Sequence, residues 1–141
     1  MHSKLHQYLE SEVMNADPVK LVTLLYRGAL TAVASAQSAF VSGDVAERAR
    51  QVSKAWTIVN ELRQAINHER GGDLSRQLVE LYDYAANRFL AANAEQSEKA
   101  LGEAAAVLTT LSEAWQGIQA QHQRTAEYRL ATEHQPLSIA C

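Results

Sequence analysis

The stretch LGEAAAVLTTLSEAWQGI, Leu101 to Ile118, decides the fold. Leu101, Ala104, Leu108, Leu111, Trp115 and Ile118 follow one another at spacings of three and four without a miss. That rhythm puts all six on one side of an α-helix, as a narrow seam that only facing helices can cover. Three more segments upstream keep the same period. Leu78, Tyr82, Ala85, Phe89 and Ala92 form one stripe. Val45, Val52, Ala55, Val59, Leu62 and Ile66 form another, with one gap. Val22, Leu25, Ala29, Val33, Ala36 and Phe40 form the third. No segment alternates with the period of a strand.

Punctuation between the stripes sets the boundaries. Asp17-Pro18 reads as a cap followed by a residue suited to the first helical position. Gly43-Asp44 reads as a left-handed stop and a new cap, and Gly71-Gly72-Asp73 repeats that pattern. Asn93-Ala94-Glu95-Gln96 reads as a fourth start, with Gln96 placed to close a capping box. These marks predict helices over about 18–42, 45–69, 74–92 and 95–119. Linkers this short make consecutive helices antiparallel, so the predicted fold is all-α: an up-down-up-down four-helix bundle over residues 17–119. Residues 1–16 carry Leu5, Tyr8, Leu9, Val13 and Met14, enough for a short amphipathic cap segment. Residues 120–141 are polar and then mixed, and predict a mobile tail.

Composition narrows the function. The chain has 141 residues, of which 47% are hydrophobic and 21% charged, a globular rather than a disordered balance. Cys141 is the single cysteine, which excludes an internal disulfide. The net charge of −3 and the lack of any Lys/Arg run argue against nucleic acid as a partner. No apolar run approaches the ~20 residues of a membrane span, and Met1 to His6 hold no secretory h-region. A soluble protein of a reducing compartment is expected, with no membrane insertion.

The bundle's usual chemistries find no residues here. A di-iron site needs Glu-x-x-His pairs, but Ser3, Ala65, Gln119 and Ala131 stand three before His6, His68, His122 and His134. Zinc spacing and the haem attachment motif are absent, and no phosphate-binding loop appears. No cofactor, metal or catalytic residue is expected. Phosphotransfer through His68 is one alternative. Its predicted place at a helix C-terminus, before Glu69-Arg70-Gly71-Gly72, suits a residue that answers the helix dipole better than a phosphoryl carrier, which wants an exposed face in mid-helix.

The first two helices are wider in apolar surface than a bundle requires. Leu21, Leu24, Leu25, Tyr26, Leu30 and Val33 cover more than half of the first helix. Trp56, Ile58, Val59, Leu62 and Ile66 broaden the second. A bundle helix needs an apolar arc of only about 100°. The surplus either widens the interior, or is covered by the N-terminal segment, or faces another chain. An amphipathic partner helix in a groove uses such a surface well, and self-association into a helical adaptor is a second alternative.

Particular residues carry a family likeness. Leu24-Leu25-Tyr26-Arg27-Gly28-Ala29 after Pro18, Lys54-Ala55 with Ile58 and Glu61-Leu62, Leu81-Tyr82-Asp83-Tyr84, Ala92-Asn93 and Trp115 resemble, in order and spacing, the flagellin-specific export chaperones of the FliS family. Arg27 stands where that family often has an acid, and Ala85 where methionine is common. The resemblance implies a cytoplasmic, non-enzymatic bacterial chaperone. Its client would be the disordered C-terminal segment of flagellin, kept from premature polymerisation and handed to the type III export gate. It also implies, for some members, contacts with an anti-sigma factor or a second assembly factor. The groove residues expected are Leu21, Leu25 and Ala29 on the first helix and Ile58, Leu62 and Ile66 on the second, with Tyr8 and Tyr84 at the edges. By the same resemblance, the segment bearing Tyr8 can lie over the groove as a removable cap; the alternative is that Tyr8 staples the N-terminus to the bundle.

Overall fold

The computed structural model describes residues 18–66 and 68–134. Four helices follow in order: α1 (Pro18–Ser42), α2 (Val45–Gln64), α3 (His68–Ala94) and α4 (Glu98–His134). Each packs on its neighbours in the chain, and α1 closes the ring against α4. The cross-links fix the directions. Asn93, late in α3, donates to the carbonyl of Ala49, early in α2, and Arg63, late in α2, meets Asp83 on α3. Trp115 of α4 donates from Nε1 to Thr23 Oγ1, near the start of α1, at 2.9 Å. Consecutive helices therefore run antiparallel, and the chain is an all-α four-helix bundle with no strand among the described residues.

Local chemistry explains most of the ends. Gly43 takes φ +75°, and the Asp44 N–H reaches back to the Ala39 carbonyl at 3.0 Å, the six-to-one closure that ends a helix on a left-handed residue. Asp44 then turns from terminator to cap. Its carboxylate accepts from the Glu47 N–H at 3.0 Å and satisfies a donor at the start of α2. Glu47 is held in turn by the Gln51 amide at 2.8 Å and by Arg50, and these two hydrogen bonds lower its carboxyl below the ordinary glutamate value.

Several boundaries differ from those read off the sequence. The second helix stops at Gln64, not near 69, because the Ala65 N–H is shared between the Glu61 and Leu62 carbonyls and the last turn tightens. Gly72 does supply a break (φ 53°, ψ −124°), but a turn beginning at His68 precedes it, so His68 heads α3 rather than ending α2. At the last corner Gln96 adopts φ 50° and terminates α3. Ser97 is the cap of α4, its hydroxyl accepting from the Ala100 N–H at 3.0 Å.

The fourth helix also outruns its expected end near 119 and reaches His134. No glycine or proline interrupts residues 118–135, and glutamine, alanine, arginine and leucine prolong a helix already nucleated. At 37 residues it is about 55 Å long. Its partners are shorter. Arg88 faces Glu103 and Thr23 faces Trp115, so α1 and α3 both begin level with residues near 120. Beyond that level every described side chain from Ala120 to Thr132 is exposed.

The core is made of small residues around a few large ones. Ala29, Ala36, Ala55, Ala85, Ala92 and Ala104 are fully enclosed and let the helices approach closely, while Phe89, Leu62, Leu101 and Leu108 fill the layers between. Polar groups interrupt this interior. Tyr26 and Tyr82 share a hydroxyl hydrogen bond across it, and Arg48 is buried with its guanidinium carbon 5.2 Å from the centre of the Phe40 ring.

Candidate functional site

The structure divides the residues expected to form a groove. Leu21 and Leu25 on α1 and Ile58 on α2 are half-buried and share the α1–α2 side by helical register, and Ile66, half-buried too, lies in the linker just past the end of α2. Gly28 makes that approach close, since a Cβ there would stand 3.3 Å from Ile58 Cδ1. Ala29 and Leu62 belong elsewhere. Both are enclosed in the core and leave no side-chain surface open to a partner. Tyr84 lies exposed on the outer side of α3, a helix separated from α1 by the bundle interior, and it does not join the α1–α2 face. Tyr8 lies outside the described residues, and so does Cys141.

The apolar side chains left in water are mainly elsewhere than on α1. Of the described large apolar side chains of α1, only Val41 at its C-terminal end is exposed; contacts with α2 and α4 take up the rest of the wide arc. Exposure concentrates on α3 and its borders: Leu74 is 63% exposed, Leu81 40% and Leu90 56%, with Trp56 of α2 at 37% and Ile118 of α4 at 54%. Leu74 and Leu81 stand one heptad apart, off the core stripe of Leu78, Tyr82, Ala85 and Phe89. This second stripe was open to a reading of the sequence, but the stronger core period masks it.

Two clefts give these surfaces depth. One, of about 330 Å³, lies between α2 and α3 and is lined by Ser53, Trp56, Thr57, Phe89, Leu90 and Asn93. The other, of about 300 Å³, lies between α1 and α4, with Tyr26, Arg27, Leu30, Ser112 and Trp115 among its walls. Both are apolar with a few polar groups, which suits side chains of a partner segment rather than a reacting substrate. Among the described residues no three His, Cys, Asp or Glu side chains gather where they could hold a metal, and no helix is long and apolar enough to cross a membrane.

A closed helical bundle with apolar clefts and polar surroundings defines a helical binding protein. Comparison with known proteins names the class. The family model for the flagellar protein FliS matches residues 1–122. The chain is 37% identical over 111 residues to the flagellar secretion chaperone FliS of Salmonella typhimurium, covering 78% of this chain and 82% of that one. It is 34% identical over 110 residues to the flagellar secretion chaperone FliSB of Pseudomonas aeruginosa, covering 78% and 87%. The Bacillus subtilis FliS is 30% identical over 115 residues, covering 81% and 85%. The chain belongs to the FliS family, a family of flagellar secretion chaperones and not of enzymes.

Proposed function

We propose that this chaperone binds the disordered C-terminal segment of flagellin in the bacterial cytosol, prevents its premature polymerisation and delivers it to the type III export apparatus. The observation that carries the reading is the apolar surface left uncovered on a well-packed bundle. Leu74, Leu81, Leu90, Trp56 and Ile118 stand exposed around α3, and the half-buried Leu21, Leu25 and Ile58 line the α1–α2 side, with Ile66 just past the end of α2. A client that must be ordered on binding loses about 2–5 kcal/mol in doing so, and only a wrapped surface of several faces compensates for that. Client segments laid over the α1–α2 side and both borders of α3 provide such a surface. Tyr8 and its segment act as the removable cap of the α1–α2 side, and Tyr84 meets the client where it crosses α3. The export-gate component is the second partner, reached while the client is held.

Full-length flagellin and flagellin lacking its C-terminal ~40–50 residues, a length matched to a standard-sized interface, separate this reading from others when each is mixed with the purified chaperone. Binding to the first and not the second is expected. Equal binding to both overturns the proposal. Sedimentation across concentration then tests the adaptor alternative, which requires self-association in place of a one-to-one complex.

A further inference from the structure

We infer, on the reading that the chain holds an unfolded export client, that the cleft between α1 and α4 seats one acidic side chain of that client. The seat takes an aspartate or glutamate whose carboxylate pairs with Arg27 and meets the Ser112 hydroxyl, with its methylene stem between Leu30 and Trp115.

The walls of this cleft supply donors and a positive charge. Among the described residues that line it, Arg27 carries the only charge. Its guanidinium is exposed, and no acidic side chain comes within ion-pair distance of it among the described residues. Its own helix offers none, since the charged residues of α1 are Lys20 and Arg27. Glu113, next to Ser112 on α4, is exposed and makes no ion pair with it. Ser112 is only 5% exposed and makes no side-chain hydrogen bond among the described residues. The side-chain groups there that are sealed from solvent without a partner are Arg48 Nε and Asn93 Oδ1, so the unbonded Ser112 hydroxyl opens to the cleft it lines. Gln116, exposed at the rim, adds an amide donor. Trp115 Nε1 is spent on Thr23, and the Thr31 hydroxyl on the Arg27 carbonyl, so these two side chains serve as wall.

The charge on Arg27 selects the occupant. By helical register Leu24 and Arg27 lie on the outer face of α1, between Leu21 on its α2 side and Leu30 on its α4 side. A client that passes from the α1–α2 side into the α1–α4 cleft crosses both. Covering a guanidinium without a counter-charge removes its water and returns nothing. A carboxylate laid against it forms a charge-assisted, two-pronged pair and has an oxygen to spare for a hydroxyl. A leucine in the same place would leave Arg27 and Ser112 dewatered and unmet, and a lysine would add repulsion.

The test is a set of double-mutant cycles by calorimetry on the full-length chaperone. The probe is a synthetic peptide of the flagellin C-terminal segment, with a series in which each aspartate is replaced in turn by asparagine and each glutamate by glutamine. One replacement should weaken binding to the unmodified chaperone about threefold to tenfold and have no further effect on the Arg27→Gln chaperone. A lysine at that peptide position should reverse the preference, binding Arg27→Glu more tightly than the unmodified chaperone. The loss should shrink as salt rises from ~50 to ~500 mM. Amidation of the peptide's C-terminus should leave binding unchanged, which separates a side chain from the chain end. Arg27 is exposed and holds no other side chain, so its variants should keep the fold, and circular dichroism checks this. Additive effects at every acidic position, a lysine peptide that gains nothing from Arg27→Glu, or a loss reproduced by amidation alone overturns this inference and leaves the client reading standing. If the unsubstituted peptide does not bind, both fall together.

Discussion

The hydroxyls of Tyr26 and Tyr82 stand 2.5 Å apart and join α1 to α3 across the diagonal of the bundle, although these two helices are not neighbours in the ring. Both side chains are 4% exposed, and each hydroxyl is hydrogen-bonded to the other. Removing one member therefore costs more than removing both. Tyr26→Phe leaves the Tyr82 hydroxyl buried and unmet, a loss of about 1–3 kcal/mol. Tyr26→Phe combined with Tyr82→Phe leaves no orphan and should recover most of that loss in a urea unfolding series. Burial, the main cause, pushes both phenols above their ordinary value, so the folded state keeps protons that the unfolded chain gives up above pH ~10. The stabilisation is thus intact below that pH and declines as pH rises through it. The wild type should lose stability between about pH 10 and 12 more steeply than the double phenylalanine variant. Parallel curves would contradict the coupling.

Gly43 and Gln96 occupy equivalent corners with opposite sequence choices. Both residues take positive φ, 75° and 50°, and both are followed by a residue whose N–H closes back on the preceding helix. Glycine adopts that conformation freely and glutamine does not. Gln96→Gly should therefore stabilise the protein by about 0.5–1 kcal/mol, and Gly43→Gln should destabilise it by about as much or more. No atom lies within 4 Å of a Cβ built at Gly43, so the second effect is backbone strain and not a clash. Thermal melts of the two variants should move in opposite directions. A downward shift for Gln96→Gly would show that the glutamine side chain compensates for its backbone.

Arg48 gives a prediction of unusual sign. Its side chain is 6% exposed, its Nε is buried without an acceptor, and its stabilising contact is the face of Phe40. The unmet donor costs about 1–3 kcal/mol, and a cation–π contact returns about 0.5–2 kcal/mol. The two nearly cancel, so the value of the residue lies in its packed stem. Arg48→Met keeps that stem and should leave stability unchanged or raised, whereas Arg48→Ala should lower it by about 2 kcal/mol or more. Chemical denaturation of both variants distinguishes packing from charge. A large loss in Arg48→Met would show that the charge itself is needed.

Much of the fold was legible because its signals are local. The seam from Leu101 to Ile118 fixes a helix by spacing alone, and Gly43-Asp44 marks a corner by the conformations those residues favour. The last corner was misplaced because Asn93 to Gln96 offers a capping box by sequence, whereas the backbone keeps Asn93 inside α3, turns at Gln96 and caps α4 with Ser97, four residues later. The end of α2 was hidden, since nothing in Ala65-Ile66 differs in kind from the residues before it. Which apolar side chains stay exposed was the least legible part. Ala29 and Leu62 lie on the same stripes as the intended groove residues, and periodicity cannot tell a side chain facing one neighbour from a side chain enclosed by two. The breadth of α1 reflects two packed neighbours, and the exposed leucines of α3 follow a weaker period beneath a stronger one.

The extension of α4 separates what holds the bundle together from what merely continues it. The family match ends at residue 122, whereas α4 continues to His134 with its described side chains beyond Ile118 almost all exposed. Their side-chain hydrogen bonds there are local: Thr125 and Thr132 each donate to a carbonyl four residues back on the same helix. Removing residues 123–141 should therefore reduce far-UV helicity by about the share of those helical turns while changing unfolding stability by less than about 1 kcal/mol. Binding of the flagellin segment should be unchanged within about twofold, since none of the proposed contact residues lies beyond Ile118. A larger loss of stability would place a packing partner on the extension, and a selective loss of binding would extend the client path along α4 past the end of the bundle.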